Sequence, residues 1–132
     1  MGEGMENVIF LDTHIAIWLY SGELDLFRPQ VLKLINENPV CISHIVRLEM
    51  KYLHEIGRIK QLPDVITGAL IDEIGLVFSE NSIERIISQS IHMDFTRDPF
   101  DRIIVADASI NNSKLISKDQ IIKKNYKNTV WF

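Results

Sequence analysis

The chain of 132 residues contains one cysteine, Cys41. No disulfide can form within it, and such usage fits a reducing compartment. Basic charge is also short. Lys and Arg number 14 against 18 Asp and Glu, giving a net charge of −4 and a pI near 5.5. An acidic chain has no global attraction for nucleic acid, so any such contact needs a local basic patch or bound cations. No apolar run approaches the roughly 20 residues that span a bilayer. Met1 to Glu6 is acidic, and no apolar core of a signal peptide follows it. Gly2 is not a myristoylation signal, because position 6 is Glu rather than Ser or Thr. Repeats, linkers and low-complexity tracts are missing too. The expectation is a soluble cytoplasmic protein with no membrane partner. It would form a single domain over residues 1–132, with residues 1–6 a flexible extension.

What is present is an ordinary globular mix, 46% hydrophobic and 24% charged. Its most informative stretch is Asn7-Val8-Ile9-Phe10-Leu11-Asp12-Thr13-His14. Four apolar residues run straight into one aspartate. So short a continuous run reads as a strand buried on both faces. An acid just past such a strand sits at the mouth of the sheet, where open α/β folds bind ligands.

Further short apolar runs follow at Val40-Cys41-Ile42, Leu76-Val77-Phe78, Leu115-Ile116-Ser117 and Thr129-Val130-Trp131-Phe132. Helical patterns separate them. Thr13 to Tyr20 is closed by Ser21-Gly22, and Glu23 to Glu37 is split by Pro29. Ile45 to Ile56 is capped by Ser43 and stopped by Gly57, with Ile45, Leu48, Tyr52 and Ile56 as its core stripe. Asp64 to Ile74 ends at Gly75, and another helix begins near Ser82 and runs to about Ser90. Asp98-Pro99-Phe100-Asp101 has an N-cap, a proline at the first helical position and an acid at the third. The helix it starts is apolar on most faces. A last short helix covers Gln120 to Tyr126. Strands alternating with helices in this way predict an α/β fold, with a central, mostly parallel five-stranded sheet and helices on both faces.

Asp12, Glu49, Asp98, Asp101 and Asp119 share a placement. Each follows a strand or lies early in a helix, and in a parallel sheet all such positions face one edge. Carboxylates gathered there repel one another and raise each other's pKa unless a cation neutralises them. Oxygen donors without His or Cys suit a hard cation, Mg2+ or Mn2+. Such a site suits phosphodiester hydrolysis, in which the metal polarises a phosphoryl oxygen and acidifies a bound water. Each acid also has a structural reading. Asp98 and Asp119 can serve as helix caps, Asp101 can close a capping box, and Glu49 can pair with Arg47 or Lys51. Asp12 is hardest to explain structurally, because nothing in an apolar strand needs an acid there. Thr13 offers a hydroxyl beside it, and His14 is a substrate contact or a first-turn polar residue. Asp107 lies roughly 120° around its helix from Asp101 and reads as peripheral.

These residues resemble a known family. Leu11-Asp12-Thr13-His14 with Trp18-Leu19, Ile42-Ser43 leading to Leu48-Glu49, Arg97-Asp98-Pro99-Phe100-Asp101-Arg102-Ile103-Ile104-Val105-Ala106, and Ile116-Ser117-Lys118-Asp119 are similar to the PIN domain of VapC-type toxins. The likeness runs through essentially the whole chain, in order. It implies a PIN-like three-layer α/β/α fold and Mg2+- or Mn2+-dependent endonucleolytic cleavage of RNA. It implies that Asp12, Glu49 and Asp101 match the acidic triad and Asp119 the variable fourth acid. Asp98 matches an acid common in the subgroup, and Thr13 the hydroxyl residue after the first acid. It further implies a cognate antitoxin whose tail fills the cleft, often with a basic residue near the acids, and a homodimer. One departure is Thr96, where relatives often carry His.

An RNA substrate must be reconciled with the acidic pI. Arg47, Lys51, Arg58 and Lys60 near Glu49, and Lys118, Lys123 and Lys124 near Asp119, are candidate phosphate contacts or else solvated faces. Arg102 contacts phosphate or braces the acids. Other classes fit less well. A receiver-type signalling module wants an aspartate ending the third strand, where Ser79 stands. An aspartate-nucleophile phosphatase wants a second Asp at position 14, which is His. An RNA-processing nuclease without a toxin role, and a catalytically silent binding module, remain as alternatives.

Overall fold

A computed structural model describes residues 7–131. The extension expected over residues 1–6 and the terminal Phe132 lie outside the described residues. The sheet has five strands: β1 (Ile9–Leu11), β2 (Val40–Ile42), β3 (Val77–Phe78), β4 (Leu115–Ile116) and β5 (Thr129–Val130). Their order is β3-β2-β1-β4-β5. All four pairings are parallel, so the sheet is wholly rather than mostly parallel. The strand ending in Asp12 is therefore the central one. Every residue of β1 and β2 is buried, as continuous apolar runs between two helical layers require.

Among the described residues seven α-helices make the outer layers: α1 (Thr13–Tyr20), α2 (Pro29–Glu37), α3 (His44–Glu55), α4 (Pro63–Ile74), α5 (Ile83–Ser90), α6 (Pro99–Ile110) and α7 (Gln120–Asn125). The arrangement is a three-layer α/β/α sandwich. A 3-10 turn, Leu24–Leu26, precedes α2, which starts at Pro29, where that residue's fixed φ suits a first helical position. Gly75 closes α4 at φ +69°, a left-handed C-cap that a side chain would strain. From β1 the chain goes to β2 on one side and, later, to β4 on the other. The crevice between β1 and β4 is thus the switch point of the sheet, where open α/β folds bind ligands.

One expected face is corrected. The core stripe of α3 is Val46, Met50 and Leu53. Leu48, Tyr52 and Ile56 are 57%, 48% and 49% exposed. Both sets recur at helical spacing, so periodicity alone could not choose between them. The choice falls to packing, since α3 is held against both α4 and α6. Asp107 stands off the acid-bearing face of α6 and does not line the acid cavity, and it is fully buried. Its Oδ1 accepts hydrogen bonds from Ser79 Oγ at 2.7 Å and Asn81 Nδ2 at 2.9 Å, which ties the end of β3 to α6.

Candidate active site

Asp12 directly follows β1. Its backbone N–H donates to Ile116 O at 3.1 Å, continuing the ladder between β1 and β4. Its side chain caps α1, with Oδ1 accepting from Ile15 N–H at 3.0 Å. Asp98 and Asp119 repeat this arrangement. Asp98 Oδ1 accepts the N–H groups of Phe100 and Asp101 at the start of α6. Asp119 Oδ1 accepts those of Ile121 and Ile122 at the start of α7. Each caps a helix start with a single carboxylate oxygen.

Even the approach to two of these caps is the same. The Asp98 N–H donates to Thr96 Oγ1 and the Asp119 N–H to Ser117 Oγ, both at 3.1 Å. Thr96-Arg97-Asp98 and Ser117-Lys118-Asp119 are thus one device used twice. It also removes the capping-box alternative for Asp101, whose carboxylate would have needed the Asp98 N–H.

The five acids line one cavity of about 560 Å3, together with Thr13, His14, Trp18 and Lys118. Glu49 reaches it from the middle of α3, and Asp101 from the first turn of α6. Thr13 Oγ1 donates to Glu49 Oε1 at 2.5 Å, fixing the one long, flexible acid of the set. Burial is the largest force raising the carboxyl of Asp12. Hydrogen bonds from Ser117 and the Ile15 N–H, with nearby His14, oppose it, while Asp119 adds to it. Burial also leads for Glu49, opposed by Thr13 and His14 and reinforced by Asp98 and Asp12. Asp101 is pushed up to about 7, first by burial and then by Asp98, Asp119, Glu49 and Asp12. Among the described residues no hydrogen bond or cation offsets them. Mutual repulsion at one sheet edge is what a divalent cation would relieve.

Among the described residues, no three His, Cys, Asp or Glu side chains converge tightly enough to enclose an ion as they stand. The carboxylates line a cavity rather than form a cage. Nevertheless, the donor chemistry fits a hard cation. The second oxygens of Asp12, Asp98 and Asp119 are not used by the caps, and Glu49 and Asp101 complete an all-oxygen set.

Lys118 lines the cavity, with its Nζ 5.7 Å from the centre of the Trp18 ring. Arg47 and Lys51 do not line it. Each is two residues from Glu49, about 160° around the helix. Arg47 lies over Phe78 and 3.9 Å from Asp64, and Lys51 pairs with Glu55 at 4.0 Å. Arg102 is also turned away. Its Nε and Nη2 both donate to Thr96 O, bracing the loop that leads into α6. Ser117 is the site residue that sequence reasoning missed. It is fully buried, its hydroxyl lowers the Asp12 carboxyl, and its oxygen accepts the Asp119 N–H. The available signal was a hydroxyl residue ending a cleft strand two positions before an acid.

Comparison with protein families matches residues 9–128 to the model of the PIN domain. Among solved structures, the chain is similar to a crystal structure of VapBC2 from Rickettsia felis bound to a DNA fragment from their promoter. The TM-score is 0.65 at 16% identity, over 93% of this chain and 96% of that one. At that identity the likeness speaks for the fold. Comparison with curated proteins found no match.

Proposed function

The chain belongs to the PIN domain family, and from that premise we propose that it is a metal-dependent endoribonuclease, the VapC-type toxin of a toxin–antitoxin pair. The observation that carries the proposal is the convergence of Asp12, Glu49, Asp98, Asp101 and Asp119 on one cavity at the switch point of the sheet. Asp12, Glu49, Asp101 and Asp119 would hold Mg2+ or Mn2+, with Asp98 in support. When bound, such a cation supplies Lewis-acid polarisation of a phosphoryl oxygen and a more acidic water.

The chain's own residues do the rest. The sheet and the α1 cap hold Asp12 in place, and Thr13 holds Glu49. A carboxylate of the set would take a proton from the attacking water as its oxygen bonds to phosphorus, opposite the leaving oxygen, whose bond to phosphorus breaks and which takes a proton from solvent. Lys118 at the rim meets the negative charge of the diester. A cytoplasmic location is part of this proposal; among the described residues no helix is long and apolar enough to cross a membrane.

The proposed protein partners are a cognate antitoxin and a second copy of the chain. The similarity to a VapBC2 complex supports the first. The exposed apolar stripe of Leu48, Tyr52 and Ile56 on α3, where the Tyr52 ring lies tilted to Phe100 at 6.0 Å, offers a protein partner a surface. The decisive experiment is cleavage of RNA by purified protein with Mn2+, wild type against Asp12→Asn. Loss of cleavage in a folded variant supports the assignment, and equal cleavage refutes it. A short neighbouring reading frame encoding a DNA-binding protein separates a toxin from an RNA-processing nuclease.

A further inference from the structure

Lys118 is the one lysine or arginine in the lining of the acid cavity, and it pairs with no carboxylate among the described residues. Nor is it among the main forces on the carboxyls of Asp12, Glu49 and Asp101. The local backbone accounts for this. The Ser117 N–H still donates to Val130 O, in line with β4, and the Ser117 side chain is fully buried. Successive side chains of an extended stretch point to opposite sides, so Lys118 projects the other way, onto α1. Its Nζ lies 5.7 Å from the centre of the Trp18 ring. That ring is fixed from two other elements. Phe27, which follows the 3-10 turn, meets it edge-on at 6.2 Å, and Trp131, which follows β5, lies tilted to it at 6.4 Å. Phe27 and Trp131 also pack on each other at 5.7 Å.

We propose that Trp18 is a positioning residue for the reaction: its ring holds the Lys118 ammonium off the carboxylates and ready for the scissile diester. The inference rests on the ribonuclease reading of the acid cavity. A lysine free to swing among five acids would pair with one of them. The cavity would then lose charge that a divalent cation needs, and the diester would lose its cation. A ring face attracts the ammonium without being an anion that competes for it. The three N–H donors stay available for phosphoryl oxygens. Holding the side chain in advance also removes rotamer freedom that it would otherwise lose on meeting the substrate. A cation already in place stabilises the charge that grows on the phosphoryl oxygens without having to reorganise. Phe27 and Trp131 do not touch the cavity, yet by fixing the ring they tie the 3-10 turn and the end of β5 to its chemistry.

The test is a double-mutant cycle of Trp18→Leu and Lys118→Gln, with Trp18→Phe as the conservative control. The substrate is a short, fluorescein-labelled, single-stranded RNA. Cleavage is read as kcat/KM with Mn2+, and binding as Kd by anisotropy in EDTA. The Lys118 side-chain protons are read by NMR in the protein without RNA. Lys118 is exposed, so the fold of Lys118→Gln should persist, and its kcat/KM should fall at least about tenfold. Trp18→Leu should lower kcat/KM about threefold to fivefold, and Trp18→Phe should restore most of it. Where position 118 is already Gln, Trp18→Leu should cost nothing further. The methylene beside the Lys118 ammonium should be shifted upfield by the ring in wild type and Trp18→Phe, and lose that shift in Trp18→Leu. Should Trp18→Leu fail to fold, Trp18→Met takes its place in the cycle. Losses that simply multiply overturn the proposal, because Trp18 then serves the fold or stacks on a base independently of Lys118. An unshifted Lys118 methylene in wild type overturns it as well. If wild type leaves the RNA uncut with Mn2+ while the ring shift and the non-additive loss in Kd persist, the nuclease reading fails and the pairing of Trp18 with Lys118 stands.

Discussion

Asp101 gives the most demanding prediction, because its stability effect and its catalytic effect should have opposite signs. Its carboxyl is raised from 3.8 to about 7 by burial and by four neighbouring acids. An acid whose folded pKa is raised destabilises the fold once it must ionise. Below about pH 4 both states hold the proton, and Asp101→Asn should be neutral. Between about pH 4 and pH 7 the unfolded chain releases the proton while the folded chain keeps it, so the wild type loses stability as pH rises. Above about pH 7 the loss is complete. The full shift of about three units corresponds to roughly 4 kcal/mol. Asp101 is only half-buried, and solvent screening reduces this to about 1–2 kcal/mol.

In EDTA at pH 8, Asp101→Asn should therefore raise Tm by about 3–8 °C, with the gain shrinking to nothing near pH 4. With Mn2+ the order should invert. The wild type should gain Tm through ligand linkage while the variant, lacking one donor, gains less. RNA cleavage should fall at least about a hundredfold. Thermal unfolding in both conditions, with a cleavage assay, checks all three results. A metal-free variant less stable than wild type at pH 8 would refute the repulsion argument. Stabilisation of the variant by Mn2+ equal to that of wild type would remove Asp101 from the metal-binding set.

Two further predictions concern the supports of the site. Thr13→Val removes the hydrogen bond that fixes Glu49; activity should drop about tenfold or more with little change in Tm, and Thr13→Ser should restore it. Kinetics of the three proteins decide this, and a fully active Thr13→Val enzyme shows that Glu49 needs no anchor. Asp107→Ala strands the buried Ser79 hydroxyl and leaves the Asn81 amide only its bond to the backbone carbonyl of residue 107, which should cost about 1–3 kcal/mol in urea unfolding. A change below about 0.5 kcal/mol there would mean that the end of β3 is held by something else.

The sheet was legible because its central strands are uninterrupted apolar runs, and nothing but a buried strand accommodates Val8 to Leu11 so briefly. The acids were legible for a related reason: parallel strands deliver their ends to one edge. Helix faces were not. On α3, two apolar stripes obey the same period, and only the packing of α4 and α6 separates Val46, Met50 and Leu53 from Leu48, Tyr52 and Ile56. Basic residues were equally ambiguous, since proximity to Glu49 in sequence places Arg47 and Lys51 on the far side of the helix. Asp107 went unrecognised because its partners, Ser79 and Asn81, are far away in the chain. Ser117 escaped notice because a lone serine carries no pattern.

The three caps have a consequence for judging relatives of this chain. A descendant that lost its chemistry would still need something to start α1, α6 and α7, and aspartate at 12, 98 and 119 would remain the best choice for that purpose alone. Those acids would survive in a dead enzyme. Glu49 and Asp101 start no helix, and in the metal-free fold Asp101 is a liability. Freed from catalysis, they would be the first to drift. Glu49 and Asp101 are therefore the positions at which a living nuclease is told from its fossil.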